Sequence, residues 1–103
     1  MSKRLAFLEQ ATASGKADSF AWYALALEYK GLGRIDDARA TFAKLRERDP
    51  GYVPMYLMCA TMLDGAGDGD GAREWLVAGV AAARAKGDAH ALGELEGALA
   101  ALG

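Results

Sequence analysis

The sequence predicts an all-α protein built from antiparallel helix hairpins, about six helices in total. Three observations carry that prediction. Trp22, Leu25, Ala26 and Tyr29 fall on one helical stripe, and after a Gly31-Leu32-Gly33 break Ala38, Phe42 and Leu45 form a second. Residues three and four apart stack on the same helix face, so each stripe is a buried side already chosen. The pattern then recurs at one constant offset, with Tyr56, Cys59, Ala60 and Leu63 standing where Trp22, Leu25, Ala26 and Tyr29 stood. The same shift carries Gly33 to Gly67, Ala38 to Ala72 and Phe42 to Leu76, which marks an internal repeat. No segment alternates with period two, so no sheet is expected.

Each element follows from local chemistry. Ser2 can cap a helix from Lys3 to about Ser14, with Leu5, Leu8 and Ala11 or Thr12 as its apolar stripe and Gly15 as its terminator. Asp18 is placed to cap the helix carrying Trp22, and Asp36 the helix carrying Phe42; each such cap is worth ~1 kcal/mol. Asp49-Pro50-Gly51 ends that second helix, because proline disfavours helical geometry in the residue before it. Pro54 suits a first helical turn. The turn from Gly65 to Gly71 offers Asp68 or Asp70 as cap for a helix running through Trp75, Leu76, Val80 and Ala83 to about Lys86. Gly87-Asp88 stops it and caps the last helix, whose stripe is Leu92, Leu95, Leu99 and Leu102. Gly93 and Gly97 cost that helix ~1 kcal/mol each relative to alanine. Close approach of another backbone, from the same chain or a second copy, is the expected compensation.

A chain of 103 residues is expected to form one domain: a leading helix (1–18), two hairpins (19–52 and 53–86) and a closing helix (87–103). A formal charge of −2 supplies no pull toward nucleic acid or acidic lipid. Cys59 is the only cysteine, so neither an internal disulfide nor a thiolate zinc cluster is available. No long apolar run or signal-peptide pattern is present, and a reducing cytoplasm is the expected compartment.

The pattern W-x2-L-x3-Y, then A-x3-F, then P, at this period, resembles the tetratricopeptide repeat. Trp22, Leu25, Tyr29, Ala38, Phe42 and Pro50 match it, Ala26 stands for its glycine, and Leu45 replaces a usual alanine. In the second copy Arg84 occupies the proline slot, which fits a longer helix. The resemblance implies a short right-handed α-solenoid that binds a peptide or helix of another protein in an inner groove lined by the first helix of each hairpin. Carried onto this chain, the lining residues are Phe20, Tyr23, Leu27 and Lys30, then Leu57, Met58, Thr61 and Asp64. They are mostly apolar, so the carboxylate clamp of chaperone-binding members is absent.

Two readings of the Phe20, Tyr23 and Leu27 stripe stay open: a docking groove, or rings covered by the leading helix through Leu5 and Leu8. Met55 and Met62 read as core and Met58 as the reachable methionine of its helix. Cys59 reads as a buried small hydrophobe, and His90 with Glu94 as a surface pair. The segment from Asp64 to Gly71 lacks the alternating oxygens and distal glutamate of a calcium loop, and Gly65-x-Gly67 follows no strand. The acids Asp36, Asp37, Glu47 and Asp49 interleave with Arg34, Arg39, Lys44, Arg46 and Arg48, as on a solvated face. No catalytic set converges, and no metal or cofactor is expected. The alternative to an adaptor is a self-assembling homodimer with no peptide ligand.

Overall fold

The computed structural model describes residues 2–102. Among them are six helices and no strand: α1 (Lys3–Ala13), α2 (Ser19–Gly31), α3 (Ile35–Arg48), α4 (Pro54–Gly65), α5 (Gly69–Lys86) and α6 (Ala89–Leu102). They fall into two compact units, one ending at Asp49 and the other beginning at Pro50.

Most helix starts are capped as the sequence indicates. Ser2 Oγ accepts from the Leu5 amide at 3.2 Å, and Asp18 Oδ1 from the Ala21 amide at 2.9 Å. Asp68 accepts from Gly71 at 2.9 Å and Asp88 from Ala91 at 3.1 Å. Helix α4, which opens on Pro54, has no side-chain cap, and α3 departs from the expectation. Asp36 does not cap it, because the helix begins at Ile35 and Arg34 takes the cap position with no side-chain hydrogen bond. Asp36 and Asp37 instead lie in the first turn, where carboxylates meet the positive end of the helix dipole. Asp37 also pairs with Arg34 at 2.8 Å.

The repeat is written in the turns between helices as well as in the side chains. The Arg34 amide donates to the Tyr29 carbonyl at 2.9 Å, and one repeat on the Asp68 amide donates to Leu63 at 2.8 Å. Gly33 to Lys30 and Gly67 to Asp64 repeat the next bond at 3.1 and 3.0 Å. Both turns need a left-handed residue, and glycine supplies it at φ +76° and +88°.

In the first unit α1 packs on α2 and α2 on α3. Leu5, Leu8, Leu25, Ala26, Ala38, Phe42 and Leu45 make its buried centre. Polar groups tie α1 down: Tyr29 donates its phenol proton to Glu9 Oε2 at 2.5 Å, Ser2 donates to Glu28 at 3.3 Å, and Arg4 pairs with Glu28 at 3.4 Å. Buried Thr12 is satisfied by donating to the Leu8 carbonyl at 2.9 Å.

In the second unit α4 packs on α5, and α6 on α5 with a lighter touch on α4. Met55, Tyr56, Cys59, Met62, Leu63, Trp75, Leu76 and Leu95 are buried there. With arginine in the proline slot, α5 runs 18 residues against 14 for α3, and stops at left-handed Gly87. Of the α6 leucine stripe only Leu95 is fully covered, and Leu92, Leu99 and Leu102 are half-buried.

The compensation expected for Gly93 and Gly97 is not found among the described residues. A Cβ at either would meet nothing within 4 Å, and both are exposed. The close approach is at Gly79 instead, where a Cβ would lie 2.6 Å from Tyr56 Cβ and 2.9 Å from Leu95 Cδ2. Gly79 is the point at which α4, α5 and α6 come together.

Candidate functional site

Helix α2 is apolar on more sides than one helix contact can bury. Leu25, Ala26 and Tyr29 are covered, as the stripe pattern requires. Trp22, on the same stripe, is only half-buried, its ring lying 5.2 Å from the Arg48 guanidinium. Its Nε1 is buried without an acceptor among the described residues. Tyr56 stands in the same slot one repeat on, and its hydroxyl reaches the Pro50 carbonyl.

The remaining apolar side chains of α2 are Phe20, Tyr23 and Leu27, with Lys30 after them. Phe20 is 66% exposed. Tyr23 is half-buried, its ring edge-on to Phe42 with centroids 6.5 Å apart and planes at 61°. Leu27 and Lys30 are half-buried too. Leu5 and Leu8 of α1 are buried, yet α1 leaves Phe20 uncovered. Of the two readings of this stripe, full coverage by the leading helix therefore fails at its first ring.

On α4, Leu57 and Met58 are half-buried, whereas Thr61 and Asp64 are exposed. Thr61 donates to the Leu57 carbonyl of its own helix at 2.8 Å. Both Thr61 and Asp64 border a cleft of about 160 Å³ closed on its far side by Ala98, Ala101 and Leu102 of α6. Met55 and Met62 are buried and Met58 is not, the division read from the sequence.

Other candidates resolve into packing or solvent. Cys59 is fully buried. The His90 imidazole, 88% exposed, lies 3.4 Å from Glu94. Lys44 meets Glu47 at 3.9 Å on an exposed face, and Arg84 meets Glu96 at 3.2 Å across α5 and α6. Tyr29 has a strongly displaced titration. Its hydrogen bond to the Glu9 carboxylate, then burial, then the Glu9 charge push its pKa up to about 12.

Two features lay outside the residues singled out in the sequence. Phe7, 69% exposed, and Val77, 54% exposed, stand on outward faces of α1 and α5. Phe7 lies one residue before buried Leu8 and two after buried Leu5, spacings that turn a helical side chain away from that stripe. The second feature is a furrow of about 470 Å³ on α5, lined by Ala78, Ala81, Ala82 and Ala85 beside Tyr56. One repeat earlier, the positions that correspond to the first three are Lys44, Glu47 and Arg48. The two repeats thus share a framework while their second helices present opposite chemistry.

Comparison with known proteins points the same way as the turns and stripes. The tetratricopeptide repeat family model matches residues 29–95. A protein of Bordetella parapertussis, known from a solution structure, is 28% identical with a TM-score of 0.81, over 99% of this chain and 89% of its own. A tetratricopeptide repeat domain protein of Salinibacter ruber, also solved in solution, is 32% identical with a TM-score of 0.78, over 82% of this chain and 86% of its own. A crystal structure of a tetratricopeptide repeat domain protein of the same organism gives 32% and 0.76, over 82% of this chain and 96% of its own. Among curated proteins no match is found. With well over half of its length inside the family model and its inter-helix turns repeating bond for bond, the chain belongs to the tetratricopeptide repeat family.

Proposed function

We propose that this protein is an adaptor that docks a peptide or helix of another protein on the exposed side of its first helices. The fold is that of a protein-interaction module in general, and the choice of surface is ours. In the first unit it comprises Phe20, Tyr23, Leu27 and Lys30 of α2; in the second unit, taken by itself, the candidates are Leu57, Met58, Thr61 and Asp64 of α4. The observation that carries the reading is the exposure of Phe20, at 66%, at the head of a half-covered apolar stripe. Solvent contact of such a ring is unfavourable by roughly 25 cal/mol per Å², and a partner that covers it recovers that energy. An apolar face of this kind suits a helix or extended segment laid along it.

The reading is a non-catalytic one, and no cofactor enters it. We take the whole chain as one functional domain acting in the cytoplasm; no described helix is long and apolar enough to cross a membrane. A contact near the lower end of specific interfaces, about 1,200 Å² in total, and micromolar affinity, about −8 kcal/mol, are expected.

The test is affinity capture from native extract by the wild-type protein and by Phe20→Glu, both shown folded by circular dichroism. The same partner retained by the wild type and lost by the variant supports the reading. Equal retention by both sinks it. Light scattering over a range of concentrations separates the alternative: a tight dimer that Phe20→Glu dissociates assigns the surface to a second copy of the chain.

A further inference from the structure

Helices α1 and α6 each carry a hairpin face that the described residues leave open. Arg4, Phe7 and Ala11 stand one repeat before Ala38, Thr41 and Leu45, and two before Ala72, Trp75 and Gly79. Those six residues are buried, whereas Arg4 and Phe7 are exposed and Ala11 is half-buried. The same contrast holds for α6. His90, Gly93, Glu94 and Gly97 stand one repeat after Tyr56, Cys59, Ala60 and Leu63. The four α4 residues are buried and the four of α6 are exposed. By position, α1 is thus the second helix of a hairpin and α6 the first helix of one, each open on the side where its mate would pack.

The α4–α5 hairpin gives the register in which two such faces meet. The Tyr56 and Trp75 rings lie 5.9 Å apart, Gly79 meets Tyr56, and Ala60 and Ala72 line one cleft. Carried over by position, Phe7 and Ala11 fall opposite His90, and Arg4 falls opposite Glu94. The pair of alanines is replaced there by a pair of opposite charges. Both charges are accessible: Arg4 is 71% exposed beside Glu28, and Glu94 is 53% exposed beside His90. Helix α6 contains no lysine or arginine. Helix α1 opens on Lys3 and Arg4, and its one acid, Glu9, is held by Tyr29. Pairing α1 with α1, or α6 with α6, sets like charges together, whereas pairing α1 with α6 sets opposite ones together. Gly93 and Gly97, where a Cβ would meet nothing within 4 Å, admit a close approach of another helix.

We propose that α6 of one copy and α1 of another join as the two helices of a hairpin, with Phe7 seated on His90 beside Gly93 and Arg4 paired with Glu94. The chain then associates head to tail, because the two faces in contact are different. Such a contact propagates or closes into a ring rather than stopping at two copies. A single helix pair falls below the size of a standard interface, so the association is weak and concentration-dependent. It uses neither Phe20 nor the rest of the α2 stripe, and it stands independently of the adaptor reading.

Sedimentation equilibrium of the full chain, over a concentration series reaching the millimolar range, tests it. The wild-type mass is expected to climb past that of a dimer. Arg4→Glu and Glu94→Arg, each confirmed folded by circular dichroism, are each expected to weaken association about tenfold. An equimolar mixture of the two variants, and the double variant, are both expected to restore it, since opposite charges then face each other again. Phe7→Ser should weaken association about tenfold, whereas Phe20→Glu should leave it unchanged. A wild-type mass that stays at the monomer overturns the inference, as does a plateau at the dimer. Association that Phe20→Glu abolishes places the contact on α2 and overturns it too. So does a mixture or a double variant that stays as weak as the single variants.

Discussion

Gly79 of α5 lies so close to Tyr56 of α4 that a Cβ on the glycine would sit 2.6 Å from the tyrosine Cβ. That distance separates the glycines of the second unit into two kinds. Gly79→Ala gains ~1 kcal/mol of helix propensity but overpacks against two buried side chains, which costs about 1–3 kcal/mol. The net effect is expected to be destabilising. Gly93→Ala and Gly97→Ala meet open space and are each expected to stabilise by about 0.5–1 kcal/mol. Urea denaturation of the three variants checks the opposite signs.

The two inter-helix turns predict a matched pair. Gly33 and Gly67 hold φ +76° and +88°, a region that costs an L-residue about 1–2 kcal/mol. Gly33→Ala and Gly67→Ala should each lose about that much. Because both turns close with the same hydrogen bonds, the losses should agree within about 0.5 kcal/mol. Equal unfolding midpoints for the two variants, both below wild type, are the expected result.

Much of this arrangement was legible in the chain because its signals are local and repeat. The constant offset between the two copies, Asp18 and Asp88 as caps, Gly15 and Gly87 as stops, and the extension of α5 past its proline slot are all carried by neighbouring residues. Asp36 misled because an acid two residues into a helix resembles an acid before it, and only the Arg34 to Tyr29 bond decides where the turn ends. The role of Gly79 was not legible at all. It depends on Tyr56 and Leu95, distant in sequence, arriving at the same spot. On the candidate site, helical period separates the stripe of Phe20, Tyr23 and Leu27 from that of Leu25 and Tyr29. It does not tell how far α1 extends over the former, and so Phe20 and Tyr23 looked equivalent.

Tyr29 makes stability depend on alkaline pH. Its pKa rises from 10.0 to about 12 in the folded protein, chiefly through the hydrogen bond to Glu9. The folded state therefore holds a proton that the unfolded state has released between those values. The associated stability is fully present below about pH 10 and is lost as pH rises through about 12. Solvent near the phenol screens part of the effect, which leaves a contribution of order 1–2 kcal/mol. Tyr29→Phe removes the bond, leaves half-buried Glu9 without that donor, and should cost about 1–2 kcal/mol at neutral pH. It should also flatten the fall in stability between pH 10 and 12, measured by urea midpoints across that range.

Phe20 and Tyr23 share a face but not an environment, and that difference decides which variant can report on binding. Tyr23 meets Phe42, which is fully buried in α3, edge-on at 6.5 Å; aromatic pairs of this geometry contribute about 0.5–1.5 kcal/mol beyond their buried area. Tyr23→Glu loses that contact and sets a charge against the ring, so a cost of about 2–3 kcal/mol is expected. At this chain length that lowers Tm by roughly 10 °C or more. Phe20→Glu changes a ring that is 66% exposed and should stay within about 0.5 kcal/mol of wild type. Thermal unfolding of both variants checks the contrast. If Phe20→Glu matches wild type in Tm, its effect on capture reports the surface alone, whereas any loss of partner by Tyr23→Glu mixes docking with the opening of the α2–α3 contact.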